Sequence, residues 1–285
     1  MHYYSLSENL QSFIENQKSS GKKIAFVPTM GALHEGHLSL IRLGIQQSSV
    51  VVCSIFVNPT QFNNPNDLQT YPRMLEADAR LLEKTGCHVL FVPDVIEVYP
   101  PAFDTHIQLD LGTLGQVMEG KFRPGHFDGM LQVVKRLLDL VNPDLLIMGQ
   151  KDFQQFTLVQ HMINALALPV QLVIGPTLRE EDGLAMSSRN LRLTPELRKK
   201  ARILFQVLGE IQAKLGQTDL DILRQTGLRQ ISDQGLKPEY LEIVDGNTLE
   251  PILDDKSHNY LVACLAAWAD DVRLIDNIIL KGSKD

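Results

Sequence analysis

The chain has 285 residues, a formal net charge of −7 at pH 7, 44% hydrophobic residues and three cysteines. This length predicts about two domains with a sizeable core, and the negative charge argues against nucleic acid as the main partner. The cysteines lack CxxC spacing, the apolar runs are too short to cross a membrane, and the N-terminus has no signal pattern; we therefore expect a cytoplasmic protein without disulfides, zinc or membrane contact.

The first functional stretch, residues 24–40, reads IAFVPTMGALHEGHLSL. The apolar run Lys23–Val27 predicts a buried parallel strand, Gly31 a tight turn, and the pattern from His34 a helix. The N-terminus of a helix binds anions, because its first N–H groups have no helical partner and its dipole is positive there. His34 and His37 share one face of the first turn, which suits the phosphates of a nucleotide. The alternative is two ordinary polar residues at a helix start.

The second predicted strand, Val50–Val57, ends in the polar sequence NPTQF. Ligands of open α/β sheets bind beyond the carboxyl ends of the strands. We therefore expect Asn58 and Gln61 near a substrate, since amides suit hydroxyl and carboxylate groups. The alternative is a simple turn capped by Asn58.

Two charged residues, Asp78 and Arg123, are further candidates for the functional site. Asp78 lies near the start of a predicted helix at 74–85, where a carboxylate either favours the helix N-terminus or holds a hydrated magnesium ion that bridges phosphates. Residues 94–125 are predicted to be irregular. Arg123 lies at their end, just before a predicted helix at 129–141, and either faces an anion or is solvated.

A further predicted strand, Asp144–Met148, leads directly into GQKDFQQ at the start of a helix at 152–167. Lys151, beside a glycine at such a place, is typical of a cation that binds phosphate. Two more strands are predicted, at His88–Pro93 and Val170–Gly175. The alternation of strands and helices predicts an α/β fold with a Rossmann-like parallel sheet and right-handed crossovers.

A domain boundary near Gly175–Thr177 is predicted to divide the chain into 1–176 and 177–285. The second part opens with the polar loop LREEDGLAMSSRN, which at a domain junction is expected to close on a ligand held by the first domain. Helices at about 195–215 and 219–233 then precede three strand-like runs. This order predicts a smaller α+β domain with an antiparallel sheet.

Five motifs together resemble the pantothenate synthetase (pantoate–β-alanine ligase) family of the HxGH nucleotidylyl-transferase superfamily. They are PTMGALHEGH at 28–37, NPTQF at 58–62, RPGHF at 123–127, GQKDFQQ at 149–155 and DGLAMSSRN at 182–190. HEGH and MSSRN are also similar to the paired HIGH and KMSKS elements that bind ATP in adenylate-forming synthetases, with Arg189 where the final lysine region would be. The chain after Arg192 matches the family in length and pattern only.

The resemblance implies a reaction in two steps. ATP and pantoate give an enzyme-bound pantoyl adenylate and pyrophosphate, and β-alanine then attacks the acyl carbon and releases AMP. A requirement for Mg²⁺ and a homodimer are also implied. The residues assigned to ATP are Met30, Gly31, Ala32, Leu33, His34, Glu35, Gly36, His37, Gly149, Gln150, Lys151, Asp152, Leu178, Met186, Ser187, Ser188 and Arg189.

The other assignments concern the remaining ligands. The pantoate-binding residues are predicted to be Gln61, Gln155, Asn58 and Arg123, and Gln61 is also assigned to β-alanine. Asp78 matches a carboxylate near the metal, which it could reach through a water molecule. The residue before it is Ala77, where relatives can carry a second carboxylate.

The catalytic assignments follow the negative charge that builds on the phosphate oxygens when a carboxylate attacks the α-phosphorus. The resemblance implies that His37 is the acid catalyst, and His34, Lys151, Ser188 and Arg189 are predicted to stabilise the same charge together with it. No protein nucleophile is needed, and no serine or cysteine stands in a recognisable nucleophile arrangement. Two alternatives stay open, namely a nucleotidylyl transferase that releases a stable adenylylated product and a nucleotide sensor without turnover.

Overall fold

The structure, a computed structural model, describes residues 1–63 and 65–283. The chain forms two compact units. The first comprises Met1–Leu111, Arg123–Gln150 and Gln155–Pro176, and the second comprises Gly112–Phe122, Lys151–Gln154 and Thr177–Asp285. The division predicted from sequence placed the two short segments, 112–122 and 151–154, in the first domain. The roles of the two predicted domains stay predictions.

Strands and helices alternate along the first part of the chain, and in the last part the helices precede the strands. The α-helices among the described residues are α1 (Ser7–Ser19), α2 (Glu35–Gln47), α3 (Pro65–Thr70), α4 (Leu75–Thr85), α5 (Val95–Val98), α6 (Met118–Phe122), α7 (His126–Val141), α8 (Phe153–Ala165), α9 (Pro195–Lys200), α10 (Ile203–Lys214) and α11 (Leu220–Asp233). The strands are β1 (His2–Tyr4), β2 (Ile24–Thr29), β3 (Val50–Ile55), β4 (Val89–Phe91), β5 (Leu145–Gly149), β6 (Gln171–Gly175), β7 (Lys237–Asp245), β8 (Leu261–Ala269) and β9 (Val272–Lys281).

Strands β1 to β6 form a parallel sheet in the order β1-β4-β3-β2-β5-β6. From β2 the chain adds β3 and β4 on one side, and β5 and β6 on the other. The neighbours β2 and β5 therefore flank the switch point, beyond whose carboxyl ends α/β sheets bind ligands. Met30 directly follows β2 and Gln150 directly follows β5. The predicted Rossmann-like parallel sheet is confirmed.

Helix α2 packs very closely on this sheet. At Gly44 an added Cβ would lie 3.1 Å from Val51 Cγ2 and 3.2 Å from Ile147 Cδ1, so these side chains would have to shift by a few tenths of an ångström to admit a larger residue. Ile41 on the same helix and Leu82 on α4 are fully buried in the core of this face. Apolar packing therefore fixes the helix whose N-terminus carries the HEGH sequence.

In the second unit, β7, β8 and β9 form an antiparallel sheet in that order. Its core includes Leu208 of α10, Ile231 of α11 and Leu265 of β8. The predicted α+β part with an antiparallel sheet is confirmed, whereas the single helix predicted at 195–215 is divided into α9 and α10. No helix of the described residues combines the length and hydropathy that a membrane span requires.

The two short segments join the second unit through hydrogen bonds. The backbone N–H of Glu119 donates to Gln154 Oε1 at 3.0 Å, and Gln154 Nε2 donates to the carbonyl oxygens of Leu114 and Val117 at 2.7 and 3.0 Å. The carboxylate of Glu119 accepts two hydrogen bonds from Arg273 of β9, each 2.7 Å long. Residues 112–122 and 151–154 are thereby linked to each other and to the C-terminal sheet.

Candidate active site

The chain turns sharply between β2 and α2. Gly31 has a φ of 83° and Ala32 a φ of 50°, both in the left-handed region. A glycine tolerates this conformation, whereas an alanine there costs about 1–2 kcal/mol, so the loop needs contacts that hold it. Thr29 supplies two of them, because its hydroxyl donates to the carbonyl of Ser54 at 2.7 Å and accepts from the N–H of Gly31 at 3.2 Å.

The two histidines of HEGH hold each other at the N-terminus of α2. His34 caps the helix, since its Nδ1 accepts from the N–H of Gly36 at 3.2 Å. The backbone N–H of His34 in turn donates to Nδ1 of His37 at 3.3 Å, and the ring centroids are 4.1 Å apart. Because each Nδ1 accepts a hydrogen bond, each neutral ring carries its hydrogen on Nε2. Both imidazoles can therefore donate from Nε2, which suits a phosphate oxygen.

Asp78, in the first turn of α4, binds the same loop. Its Oδ2 accepts from the N–H of Ala32 at 2.9 Å and its Oδ1 from the N–H of Leu33 at 2.8 Å, and the residue is only 2% exposed. These two N–H groups are thus used within the protein. Contact of Ala32 and Leu33 with ATP stays a prediction. Because their backbone N–H groups bind Asp78, such a contact would involve other atoms of the two residues.

Asn58, three residues after the end of β3, has a fully engaged amide. Its Nδ2 donates to Gln61 Oε1 and to the carbonyl of Gly129, each at 3.1 Å. Its Oδ1 accepts from the hydroxyl of Tyr99 at 2.8 Å and from Thr60 Oγ1 at 3.1 Å. Both amide hydrogens and both lone pairs are used. Asn58 therefore orients Gln61, while its own contact with pantoate stays a prediction.

Gln61 is held from three directions. Its Oε1 accepts from Asn58, its Nε2 lies 3.1 Å from Met30 Sδ, and its backbone carbonyl accepts from His126 Nδ1 at 2.7 Å. His126 is 5% exposed, so this contact is shielded from water. The structure thereby brings together Met30 and Gln61, which follow the adjacent strands β2 and β3.

Sequence reasoning gave no role to Tyr99 or Gly129. Burial raises the pKa of Tyr99, so its hydroxyl stays protonated and can donate to Asn58. At Gly129 an added Cβ would lie 2.3 Å from the carbonyl oxygen of Thr60, so α7 approaches the Asn58 turn only with glycine there. Tyr99 is 41 residues from Asn58, and a single sequence has no signal that connects them. Gly129 was predicted to begin a helix, whereas α7 begins three residues earlier, at His126.

The remaining predicted residues of the first unit lie at element ends. Gly149 ends β5, and the N–H of Gln150 donates to the carbonyl of Gly175 at 2.8 Å. Gln155 lies in the first turn of α8, and Arg123, half-buried, accepts a backbone hydrogen bond from His126 just before α7. Glu35 is exposed and pairs with Arg42 at 2.9 Å on α2. The pantoate role of Gln155 and Arg123 stays a prediction.

Lys151 belongs to the second unit, where β9 fixes its backbone. Its carbonyl oxygen accepts from Asn277 Nδ2 at 2.8 Å. The neighbouring Asp276 accepts two hydrogen bonds from Arg179, at 2.7 and 3.0 Å. Asp152 is exposed just before α8. Two successive residues of β9 therefore fix the peptide at Lys151 and the segment beside Leu178.

The predicted nucleotide loop folds back on that segment. Arg179 and Ala185 form an antiparallel bridge, and the N–H of Met186 donates to the carbonyl of Leu178 at 3.0 Å. Ser187 caps a short 3-10 helix, Ser188–Arg192, by accepting from the N–H of Arg189 at 3.3 Å. The structure thus places Leu178 beside Met186, while the assignment of these two residues and of Ser187, Ser188 and Arg189 to ATP stays a prediction.

Comparison with known proteins gives one consistent result. The family model described as Pantoate-beta-alanine ligase matches residues 3–279. A pantothenate synthetase of Porphyromonas gingivalis is 45% identical over 279 residues, which is 98% of this chain and 99% of that one. A pantothenate synthetase of Bacteroides thetaiotaomicron is 44% identical over 275 residues, or 96% and 97% of the two chains.

Solved structures agree with this result. The pantothenate synthetase from Thermus thermophilus superposes with a TM-score of 0.92 at 39% identity, covering 99% of this chain and 100% of that one. The pantoate-beta-alanine ligase from Francisella tularensis, complexed with beta-gamma ATP and beta-alanine, has a TM-score of 0.80 at 36% identity and covers 98% of each chain.

Proposed function

Because the chain belongs to the pantoate–β-alanine ligase family, we propose that it joins its two substrates through an enzyme-bound pantoyl adenylate. It is an ATP-dependent ligase that condenses pantoate with β-alanine to pantothenate. In the proposed sequence a pantoate carboxylate oxygen attacks the α-phosphorus of ATP and pyrophosphate leaves. The amine of β-alanine then attacks the acyl carbon, loses a proton, and AMP leaves.

The histidine pair after β2 is the observation that carries this mechanism. His34 and His37 lie at the N-terminus of α2 beside the switch point, each with Nδ1 accepting a backbone hydrogen bond. Donors on Nε2, together with the positive end of the helix, suit a phosphate whose negative charge grows during attack. This supports His37 as the group that assists pyrophosphate departure and His34 as its neighbour on the phosphates.

Gln61 supports the assignment of pantoate to the loop after β3. Its amide is oriented by Asn58 and lies 3.1 Å from the thioether of Met30. The amide can form hydrogen bonds with the hydroxyls of pantoate, and the apolar side chain beside it can pack against the gem-dimethyl group. Gln155, Arg123 and Asn58 complete the proposed pantoate set, and Gln61 is also proposed to contact β-alanine.

Lys151, Ser188 and Arg189 are proposed to stabilise the phosphates. Lysine and arginine bring fixed positive charge, and the serine hydroxyl donates a hydrogen bond, so none of them has to form a covalent intermediate. Hydrogen bonds from β9 and within the 178–189 loop support this role, because they fix the backbone that carries each side chain.

Magnesium is proposed only as the counter-ion of the ATP phosphates. Both oxygens of Asp78 accept backbone hydrogen bonds, and within 1–63 and 65–283 no three His, Cys, Asp or Glu side chains group as metal ligands. Asp78 is also only 2% exposed and its carboxylate faces the backbone of the 31–33 turn, which does not fit direct ligation. A place near the metal through water is therefore all that is proposed for Asp78, and no step is derived through the metal. A homodimer is proposed from the resemblance alone, and a cytoplasmic location from the cysteine usage and the N-terminal sequence.

Isotope exchange tests the adenylate. Purified protein with ATP, Mg²⁺ and pantoate should incorporate labelled pyrophosphate into ATP without β-alanine, because adenylate formation reverses on the enzyme. β-Alanine alone should support none. Exchange that strictly needs β-alanine would indicate a concerted path instead. A stable adenylylated product would favour a nucleotidylyl transferase, and ATP binding without exchange or turnover would favour a sensor.

A further inference from the structure

The carboxylate of Asp78 is almost completely buried and binds the turn before HEGH with both oxygens. The distances are 2.9 Å to the N–H of Ala32 and 2.8 Å to the N–H of Leu33, and the residue is 2% exposed. Asp78 belongs to α4, whereas its two partners lie 46 and 45 residues earlier in the chain. The side chain therefore links two separate elements through the backbone of a functional loop.

The backbone shape of the 31–33 turn favours a negative charge at the position of the Asp78 carboxylate. Gly31 and Ala32 both have positive φ, and successive backbone N–H groups in such a turn form a concave site for an anion. A carboxylate is a pure acceptor and can bind two N–H groups at once. At Gly31 an added Cβ would lie 3.1 Å from Asp78 Oδ2, so the carboxylate and the turn are in close contact.

We infer that Asp78 is a positioning residue for adenylate formation, which holds the 31–33 turn so that His34 and His37 meet the phosphates of ATP. This inference rests on the proposed function. The chain of contacts is short, because Leu33 directly precedes His34, whose backbone N–H fixes the ring of His37. A displacement of the turn therefore moves the helix cap and both imidazoles. A metal-ligand role would instead require carboxylate lone pairs that face a cation.

The test compares Asp78→Asn with Glu76→Gln. Asparagine has the same shape as aspartate but turns an NH₂ group toward one of the two N–H donors. We expect pantoate-dependent pyrophosphate exchange to fall by about 10²-fold, the usual cost of misplacing reacting groups by an ångström. Glu76 lies in the same helical turn, is exposed and pairs with Arg80, so Glu76→Gln should leave exchange unchanged. Asp78→Glu keeps the charge but is longer, and it should also lose exchange.

A magnesium titration separates positioning from metal binding. We expect Asp78→Asn to reach half-maximal exchange at the wild-type Mg²⁺ concentration and to stay slow in excess Mg²⁺. The backbone amide resonances of Ala32 and Leu33 should shift in this variant and not in Glu76→Gln. Recovery in excess Mg²⁺, unchanged amide resonances, or wild-type exchange in either Asp78 variant would overturn the inference. Absence of exchange in the wild type would instead refute the proposed function, while the amide resonances would still test the contact.

Discussion

His37→Ala should lower pantoate-dependent pyrophosphate exchange by roughly 10²–10⁴-fold, the scale of an acid–base or charge-stabilising group. The ring lies at the N-terminus of α2, where the N–H of His34 binds its Nδ1 and leaves the hydrogen on Nε2. Alanine removes that donor from the place where phosphate charge develops. The fold should change little, because His37 is half-buried and water can satisfy the N–H of His34.

His106→Ala provides the matched control for this prediction. His106 is exposed and pairs only with the equally exposed Asp104 among the contacts of its side chain that the structure gives. Its removal should leave exchange at the wild-type rate. Thermal melting and ATP binding, measured on both variants, separate a chemical defect from unfolding. Near wild-type exchange in His37→Ala would remove this residue from the mechanism.

Arg273→Ala should lower the free energy of unfolding by about 3–5 kcal/mol, as expected when one partner of a buried ion pair is removed. The guanidinium makes two hydrogen bonds of 2.7 Å to Glu119 and binds Glu239 as well. The side chains of Glu119 and Glu239 are 10% and 15% exposed. The variant leaves both carboxylates without this cation, and the hydroxyl of Tyr240 cannot replace its charge.

The pKa of Arg273 agrees with tight pairing. Burial alone lowers the pKa of Arg273, but the hydrogen bonds and charges of Glu119 and Glu239 raise it by a larger amount. The net shift of this pKa is therefore upward. Arg80→Ala is the control, because Arg80 and Glu76 form an exposed pair on α4, and such pairs contribute about 0–1 kcal/mol. Denaturant unfolding measures both variants. A loss in Arg273→Ala no larger than in Arg80→Ala would contradict a stabilising role of this buried pair.

Local patterns predicted most of the fold. The apolar run of β3 and the strand–turn–helix order around HEGH are each formed by residues that lie close together in the sequence. The structure confirms the parallel sheet that these patterns predict. β1 was not predicted, because three residues are too short for a periodic pattern. α5 and α6, with four and five residues, lie in the part predicted to be irregular for the same reason.

Long-range contacts of the candidate site could not be predicted. The sequence identified Asp78 as a carboxylate near a helix start, but only the fold shows that it binds the turn before HEGH, 45 residues away. Asn58 was predicted to lie near a substrate, and only the fold shows that Tyr99 and Gly129 use its amide. Spacing in one sequence reveals helix faces and strand ends, whereas contacts between distant elements depend on packing.

Transfer of oxygen from pantoate to AMP tests the central claim, the pantoyl adenylate, most directly. Pantoate labelled with oxygen-18 in its carboxylate is turned over with ATP and β-alanine, and the nucleotide product is analysed by mass spectrometry. If a carboxylate oxygen attacks the α-phosphorus and the amine later breaks the acyl–oxygen bond, each AMP carries one labelled oxygen and the other stays in the amide of pantothenate. Unlabelled AMP, or ADP together with labelled inorganic phosphate, would contradict the adenylate mechanism.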